Sequence, residues 1–171
     1  MKRKLLKIFD AMLFCVVFFF ISLLIAILTP SCRQSRIMQK KIECKSNLRQ
    51  LLFSQLLYQN DKELWPAKNH WCDLIKRHVE EKGIFECPAD KTGPCSYAMN
   101  ENIPADVNEL PDDLVLLFES SPGWNQVGGP DDVVTGRHDR PGANIAFADG
   151  HVEFVDAEDI PNLRWTVEQK P

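Results

Sequence analysis

The longest apolar run, AMLFCVVFFFISLLIAILT at residues 11–29, holds nineteen residues without a charge. A helix rises about 1.5 Å per residue, so the run matches roughly the 30 Å hydrocarbon core of a bilayer. Backbone placed there must satisfy its own hydrogen bonds, which a helix does. With no polar face, the run reads as a membrane span or signal segment rather than a core helix. Beyond Pro30 the period changes. Ile37, Met38, Ile42, Cys44, Leu48, Leu51, Leu52, Leu56 and Leu57 recur mostly three or four apart, and no glycine or further proline intervenes before Pro66. This predicts an amphipathic stem helix over 30–62, its stripe packed on a head formed by 63–171. Pro30 is where the helix kinks or leaves the bilayer.

Leu64-Trp65-Pro66 closes that helix. A second, short helix is predicted over 70–83, capped by Asn69 and ended by Gly83, with Trp71, Leu74, Ile75, His78 and Val79 as its apolar face. The stretch at 85–102 is a loop rich in Pro, Gly, Asp and Asn. LVLLF at 114–118 reads as a buried strand, and 120–132 as a long Gly/Pro loop. Alternating residues then flank Asp149-Gly150, so 143–155 reads as a β-hairpin with a two-residue turn; Ile145 and Phe147 share one face. The expected class is α+β: a long N-terminal helix packed on a small antiparallel sheet of about three or four strands, with the far face wet.

Charge narrows the partners. The chain is formally −4, with Lys+Arg 20 against Asp+Glu 24. The one candidate for a basic patch in the folded domain, Arg33, Arg36, Lys40, Lys41, Lys45 and Arg49, lies at helical spacing and reads as a solvated face, so no nucleic-acid partner is expected. Lys2, Arg3, Lys4 and Lys7 precede the apolar run. Arg33, Arg36, Lys40 and Lys41 follow it, so the count of cations does not decide; with only about ten residues ahead of the run, the expectation is a single-pass protein with a cytoplasmic N-terminus, an extracytoplasmic head and membrane lipid as a partner.

Cys15 lies within the run, and Cys32, Cys44, Cys72, Cys87 and Cys95 follow it. Such density in the head suits an oxidising compartment. Cys72, Cys87 and Cys95, three within 24 residues, are candidate disulfide partners whose pairing the spacing leaves open. A zinc site wants paired short spacings that Cys87 and Cys95 lack, and His70 and His78 are not four apart, so no metal or cofactor is expected. LTPSC loosely matches a lipoprotein box ending at Cys32, with Leu28 one place too far away.

Read together, these stretches resemble type IV pilin-like proteins, the pseudopilins of the planctomycete and verrucomicrobial kind that end in a His, nine residues, Asp-Gly motif. Cys44, Asn47 and Leu48 match a Cys-x-x-Asn-Leu element on the family's stem. Cys87, Pro88 and Asp90 match its Cys-Pro-Ser-Asp element, and Ser96, Tyr97 and Asn100 its Ser-Tyr-x-x-Asn element. FESSPGWNQVGGP, with Trp124, then Arg137-His138 and ANIAFADGHVEF, with Asp149 and Gly150, resemble its C-terminal signature; ten residues separate His138 from Asp149. The resemblance covers nearly the whole chain. It implies a pilin-like fold and a structural, non-enzymatic component of a type II secretion or type IV pilus-like system, partnered by other pilin-like subunits. It also implies a prepilin-type cleavage region at Ile8 and Phe9. There Phe9 matches the family's phenylalanine, while Ile8 stands in place of glycine and Leu13 in place of glutamate.

Other chemistries are weaker. His138, Asp149 and His151 would have to converge near the hairpin to form a metal or acid–base centre; the turn alone accounts for Asp-Gly. Asp131, Asp132 and Asp139 offer oxygen ligands without the spacing of a calcium loop. Ser120-Ser121 lacks a nucleophile elbow. Trp124 reads as a plug on the core. Besides an assembly subunit, the alternatives are a membrane-tethered binding module or lipoprotein that forms no filament.

Overall fold

The computed structural model describes residues 2–79, 83–90, 92–104 and 109–168, and among the N-terminal side chains those of 12–26 and from 34 onward. It divides into two compact units, Met1–Ile37 and Met38–Pro171.

Along the backbone helix α1 runs over Lys2–Lys62, continuous at Pro30. In the first unit every described large apolar side chain of residues 12–25 faces outward. Ser22 Oγ, the polar group in this stretch, donates back to Phe18 O at 2.8 Å, so the helix satisfies it internally. Among the described residues no helix is long and apolar enough to cross a membrane. The side chains at 2–11 and 27–33, which include Ile8, Phe9 and Cys32, lie outside the described residues.

In the second unit α1 buries Cys44, Leu48, Leu51, Leu52 and Gln55. These positions are four, three, one and three apart, one stripe of a 3.6-residue period. The stripe begins later than its sequence pattern predicts, because Met38 and Ile42 face solvent. The second helix is also shorter than predicted. It is α2, Trp71–Ile75, between 3-10 turns at Lys68–His70 and Lys76–His78, and Asn69 lies within the first turn rather than capping α2.

The sheet has five strands in the order β3-β1-β2-β4-β5: β1 Tyr97–Asn100, β2 Val115–Glu119, β3 Val127–Gly128, β4 Gly142–Phe147 and β5 Val152–Asp156. Three pairings are antiparallel, but β3 runs parallel to β1, so the sheet is mixed. Its added strand comes from the Gly/Pro loop, whose two residues Val127 and Gly128 carry no readable alternation.

Every residue of β1, β2 and β4 is buried, which corrects the expectation of a wet face. One face lies under the helical layer with Leu48, Leu51, Trp71, Ile75, Tyr97 and Leu116 in its core. The other carries Val115, Phe118, Ile145, Phe147 and Val155 and is closed by Ile160 and Trp165 from the C-terminal segment. Trp165 packs edge-on to Phe118 at 5.3 Å between ring centres, and its indole donates to Ile160 O at 2.9 Å. A sheet covered on both sides reads as continuous apolar runs such as LVLLF.

The hairpin forms, with Ile145 and Phe147 on one face. Its turn holds three residues rather than two: Phe147 N–H donates to His151 O, and Gly150 N–H donates back to Phe147 O, each at 3.0 Å. Only Gly150, at φ +94°, takes positive φ there. That is the bulged three-residue form, in which the Asp need not adopt the left-handed region.

Candidate functional site

The polar residues of the motifs converge inside the second unit. On α1, Cys44 is covalently joined to Cys87, and Asn47, the residue before buried Leu48, donates through Nδ2 to Glu86 O at 3.0 Å. The loop from Cys87 turns through half-buried Pro88 back to Asp90, whose N–H donates to Cys87 O at 2.8 Å. Ser96 Oγ accepts the Cys87 N–H at 3.0 Å. Tyr97 Oη donates to Cys44 O at 3.3 Å, and burial, followed by the charge of Glu119, pushes this phenol up. At the end of β1, Asn100 Nδ2 donates to Val115 O at 2.7 Å and Trp165 O at 2.9 Å, while its Oδ1 accepts the Asn102 N–H at 2.9 Å. Cys44, Asn47, Ser96, Tyr97 and Asn100 thus each tie one segment of the second unit to another.

The cysteine pairing corrects the candidate set. Cys87 is bonded to Cys44 on the stem, whereas Cys72 and Cys95 carry buried free thiols. The pattern around 72–95 looked self-sufficient because those cysteines cluster in sequence; the helix supplies the actual partner. Burial and then neighbouring Cys95 push the Cys72 thiol up.

Behind the disulfide lies a polar group that sequence reading missed. Glu119 ends β2 fully buried, and both its oxygens are 2.9 Å from His138 Nε2. Asn144 on β4 donates to Glu119 through Nδ2 at 2.8 Å and through its backbone N–H at 3.3 Å. His138 also packs edge-on to Phe154, 5.9 Å between ring centres. Two buried atoms here, His138 Nδ1 and Asn144 Oδ1, have no hydrogen-bond partner. The readable signal was an acid continuing a wholly apolar strand: VLLFE can bury its Glu only against a partner.

Beside it, Arg137 is a second interior clamp. Its Nη1 donates to Ser96 O at 3.0 Å, and Nη2 reaches Asp90 at 2.6 Å and Ser120 O. The Thr92 hydroxyl first, with Arg137, holds the Asp90 carboxyl below its ordinary value against partial burial. Lys41 on α1 pairs with Asp139 at 3.3 Å and lies over the Phe154 ring at 3.5 Å.

The residues that would have formed an acid–base centre at the hairpin are not brought together. His138 is committed to Glu119 in the interior, whereas Asp149 and His151 pair with each other at the half-exposed turn, where the imidazole stacks on Phe147 at 4.4 Å. Asp132 accepts the Gly129 N–H at 2.9 Å and Asp139 holds Lys41, so these acids serve different contacts. Ser120 Oγ lies 3.1 Å from Ser121 O and 3.3 Å from Gln126 Oε1, with no imidazole among its hydrogen-bond partners. Trp124 packs on Phe85 at 4.9 Å and donates to Asp73 at 2.9 Å, a plug over the core.

What this arrangement offers chemically is a set of donors in one small volume. One ligand atom each from Cys44, Cys87, Glu119 and His138 lies within 4.8 Å of the others. Comparison with protein families, with characterised proteins and with solved structures finds no match for the chain.

Proposed function

We propose that the chain is a membrane-anchored, pilin-like structural protein, non-enzymatic, whose N-terminal helix lies in lipid and whose second unit is an extracytoplasmic head. The observation that carries this reading is the outward-facing apolar surface of residues 12–25, whose large side chains are 45–72% exposed. A surface of that extent, on every side of a helix, requires lipid or other apolar helices to cover it. Its sequence continuation to residues 11–29 reaches the length of a span.

The same helix contributes the buried stripe and one half of the disulfide to the head, the division of labour expected of a pilin-like stem. The order of motifs supports a place beside other pilin-like subunits in a type II secretion or pilus-like system. A tethered head outside any filament is the second reading, favoured by Ile8 and Leu13 at the cleavage region.

Membrane fractionation followed by N-terminal sequencing and intact mass tests both. Recovery with membranes, and a new, methylated N-terminus at Phe9, is the result expected of an assembly subunit. A start at Met1, or a lipidated Cys32, favours the tethered head. Recovery in the salt-washed soluble fraction at full length overturns the anchor itself.

A further inference from the structure

We propose that Cys44, Cys87, Glu119 and His138 form a closed site for a zinc-class divalent metal ion, filled when the Cys44–Cys87 disulfide is reduced. The four donors come from four separate places: α1, the loop before β1, the end of β2 and the loop before β4. Only the folded head assembles them, so the sequence spacing of a zinc motif is absent although the donors lie together.

Two thiolates, an imidazole and a carboxylate are a donor set of borderline softness. It suits Zn²⁺ and not the oxygen-seeking Mg²⁺ or Ca²⁺. Four protein ligands complete a tetrahedron, leaving no position for water or substrate, which makes the site structural rather than catalytic.

The fit needs small movements. Zn–S bonds of about 2.3 Å at the tetrahedral angle place the two sulfurs about 3.8 Å apart. Nitrogen and oxygen ligands on the same ion sit about 3.4 Å apart. His138 Nε2 and the Glu119 oxygens are now at 2.9 Å, and the whole set already lies within 4.8 Å. Breaking the disulfide lets the sulfurs separate into that volume.

A second observation points the same way. The His138 and Glu119 side chains are fully buried, yet His138 Nδ1 and Asn144 Oδ1 lack partners. Interior polar atoms left unpaired are uncommon, and two in one cluster mark a place built for more than its present contacts. Asn144, donating twice to Glu119, supplies the outer hydrogen bonds that orient a ligating carboxylate.

The redox step balances as thiol–disulfide exchange. A dithiol attacks the Cys44–Cys87 bond and leaves as a disulfide, and the two cysteines gain its two electrons and two protons. Metal binding then releases those two protons as the thiolates coordinate. Oxidation by a disulfide reverses the sequence and expels the ion. The bond and the metal are therefore alternative staples for the same two elements.

The test uses the full-length chain in detergent. It is reduced with a dithiol, cleared of reductant, and titrated with Zn²⁺ and separately with Co²⁺. The expected result is one equivalent bound, a tetrahedral Co²⁺ spectrum with thiolate charge transfer, and zinc protection of Cys44 and Cys87 from alkylation. The oxidised chain should bind none. Cys72→Ser/Cys95→Ser should leave binding intact, whereas His138→Gln and Glu119→Gln should weaken it about tenfold or more. Absence of uptake by the reduced chain, a cobalt spectrum without thiolate bands, or protection confined to Cys72 and Cys95 overturns the site. The cobalt and alkylation measurements need no variant, so a substitution that fails to fold does not blur the outcome.

Discussion

Asn100→Asp changes one atom and reverses the chemistry at the most heavily bonded side chain of β1. In the native head the amide NH2 donates to Val115 O at 2.7 Å and Trp165 O at 2.9 Å, with the residue fully buried. An aspartate of nearly equal volume puts an oxygen against those two carbonyls. The ionised form is excluded there, so the folded chain holds the acid neutral, with a single O–H to offer. One carbonyl is then left unpaired, at about 1–3 kcal/mol. Keeping the proton at pH 7, when the unfolded side chain releases it near about 3.9, costs about 4 kcal/mol more at roughly 1.4 kcal/mol per unit. The sum is about 5–7 kcal/mol, comparable with the whole stability of a small domain.

The sign follows directly. The folded chain binds the proton more tightly than the unfolded one, so the deficit grows as pH rises and shrinks on acidification. At pH 5 it should fall to about 2.5–4.5 kcal/mol. Urea unfolding followed by tryptophan fluorescence is a suitable assay, because all four tryptophans, at 65, 71, 124 and 165, lie in the second unit. The expected outcome is a variant mostly unfolded at pH 7 that regains structure near pH 5, against a wild type without that trend. A variant within about 1 kcal/mol of wild type at pH 7, with no such trend, would refute the buried bridge.

Other perturbations test the neighbouring arguments. With metal chelated, Cys44→Ala/Cys87→Ala removes a cross-link over a sequence separation of 43 and should cost about 4 kcal/mol by loop entropy, read as a drop of roughly 2 M in the urea midpoint. An unchanged midpoint would mean that the link does not restrain the unfolded chain. Asp90 is more acidic folded than unfolded, so its contribution is complete above its unfolded value of about 4 and is lost as pH falls through its lower folded value. Asp90→Asn should accordingly flatten the acid limb of the stability curve, and an acid limb identical to wild type would remove Asp90 from the account. Gly142 sits at φ +153° with the Phe154 ring 2.7 Å from where a Cβ would stand, so Gly142→Ala should cost about 3 kcal/mol. Gly83→Ala, with open space around it, is the control, and equal effects of the two would discredit the close approach.

The elements that sequence disclosed best were those whose pattern is local. The period of α1 over 44–55 and the alternation around Asp149-Gly150 each depend on neighbours a few residues away. The second covering layer was hidden because Ile160 and Trp165 belong to a segment without a repeating pattern. β3 was hidden because two residues cannot show a period. At the site, the motif residues were identified by position, but their purpose was not. Ser96, Tyr97 and Asn100 bond to groups 9, 53 and 65 residues away, separations no local rule spans. Glu119 and Asn144 went unnoticed for the same reason, since their meaning comes from the His138 that the fold brings to them.

The bond between stem and loop also sets how the chain would respond to a mechanical load. Tension applied between its two ends travels along α1 to Cys44 and crosses through sulfur to Cys87, bypassing everything between. Those 43 intervening steps of backbone, about 150 Å if drawn out, are sheltered from extension while the bond is intact. α2 and the latter half of the stem therefore stay off the force path, and reduction returns that hidden length to it.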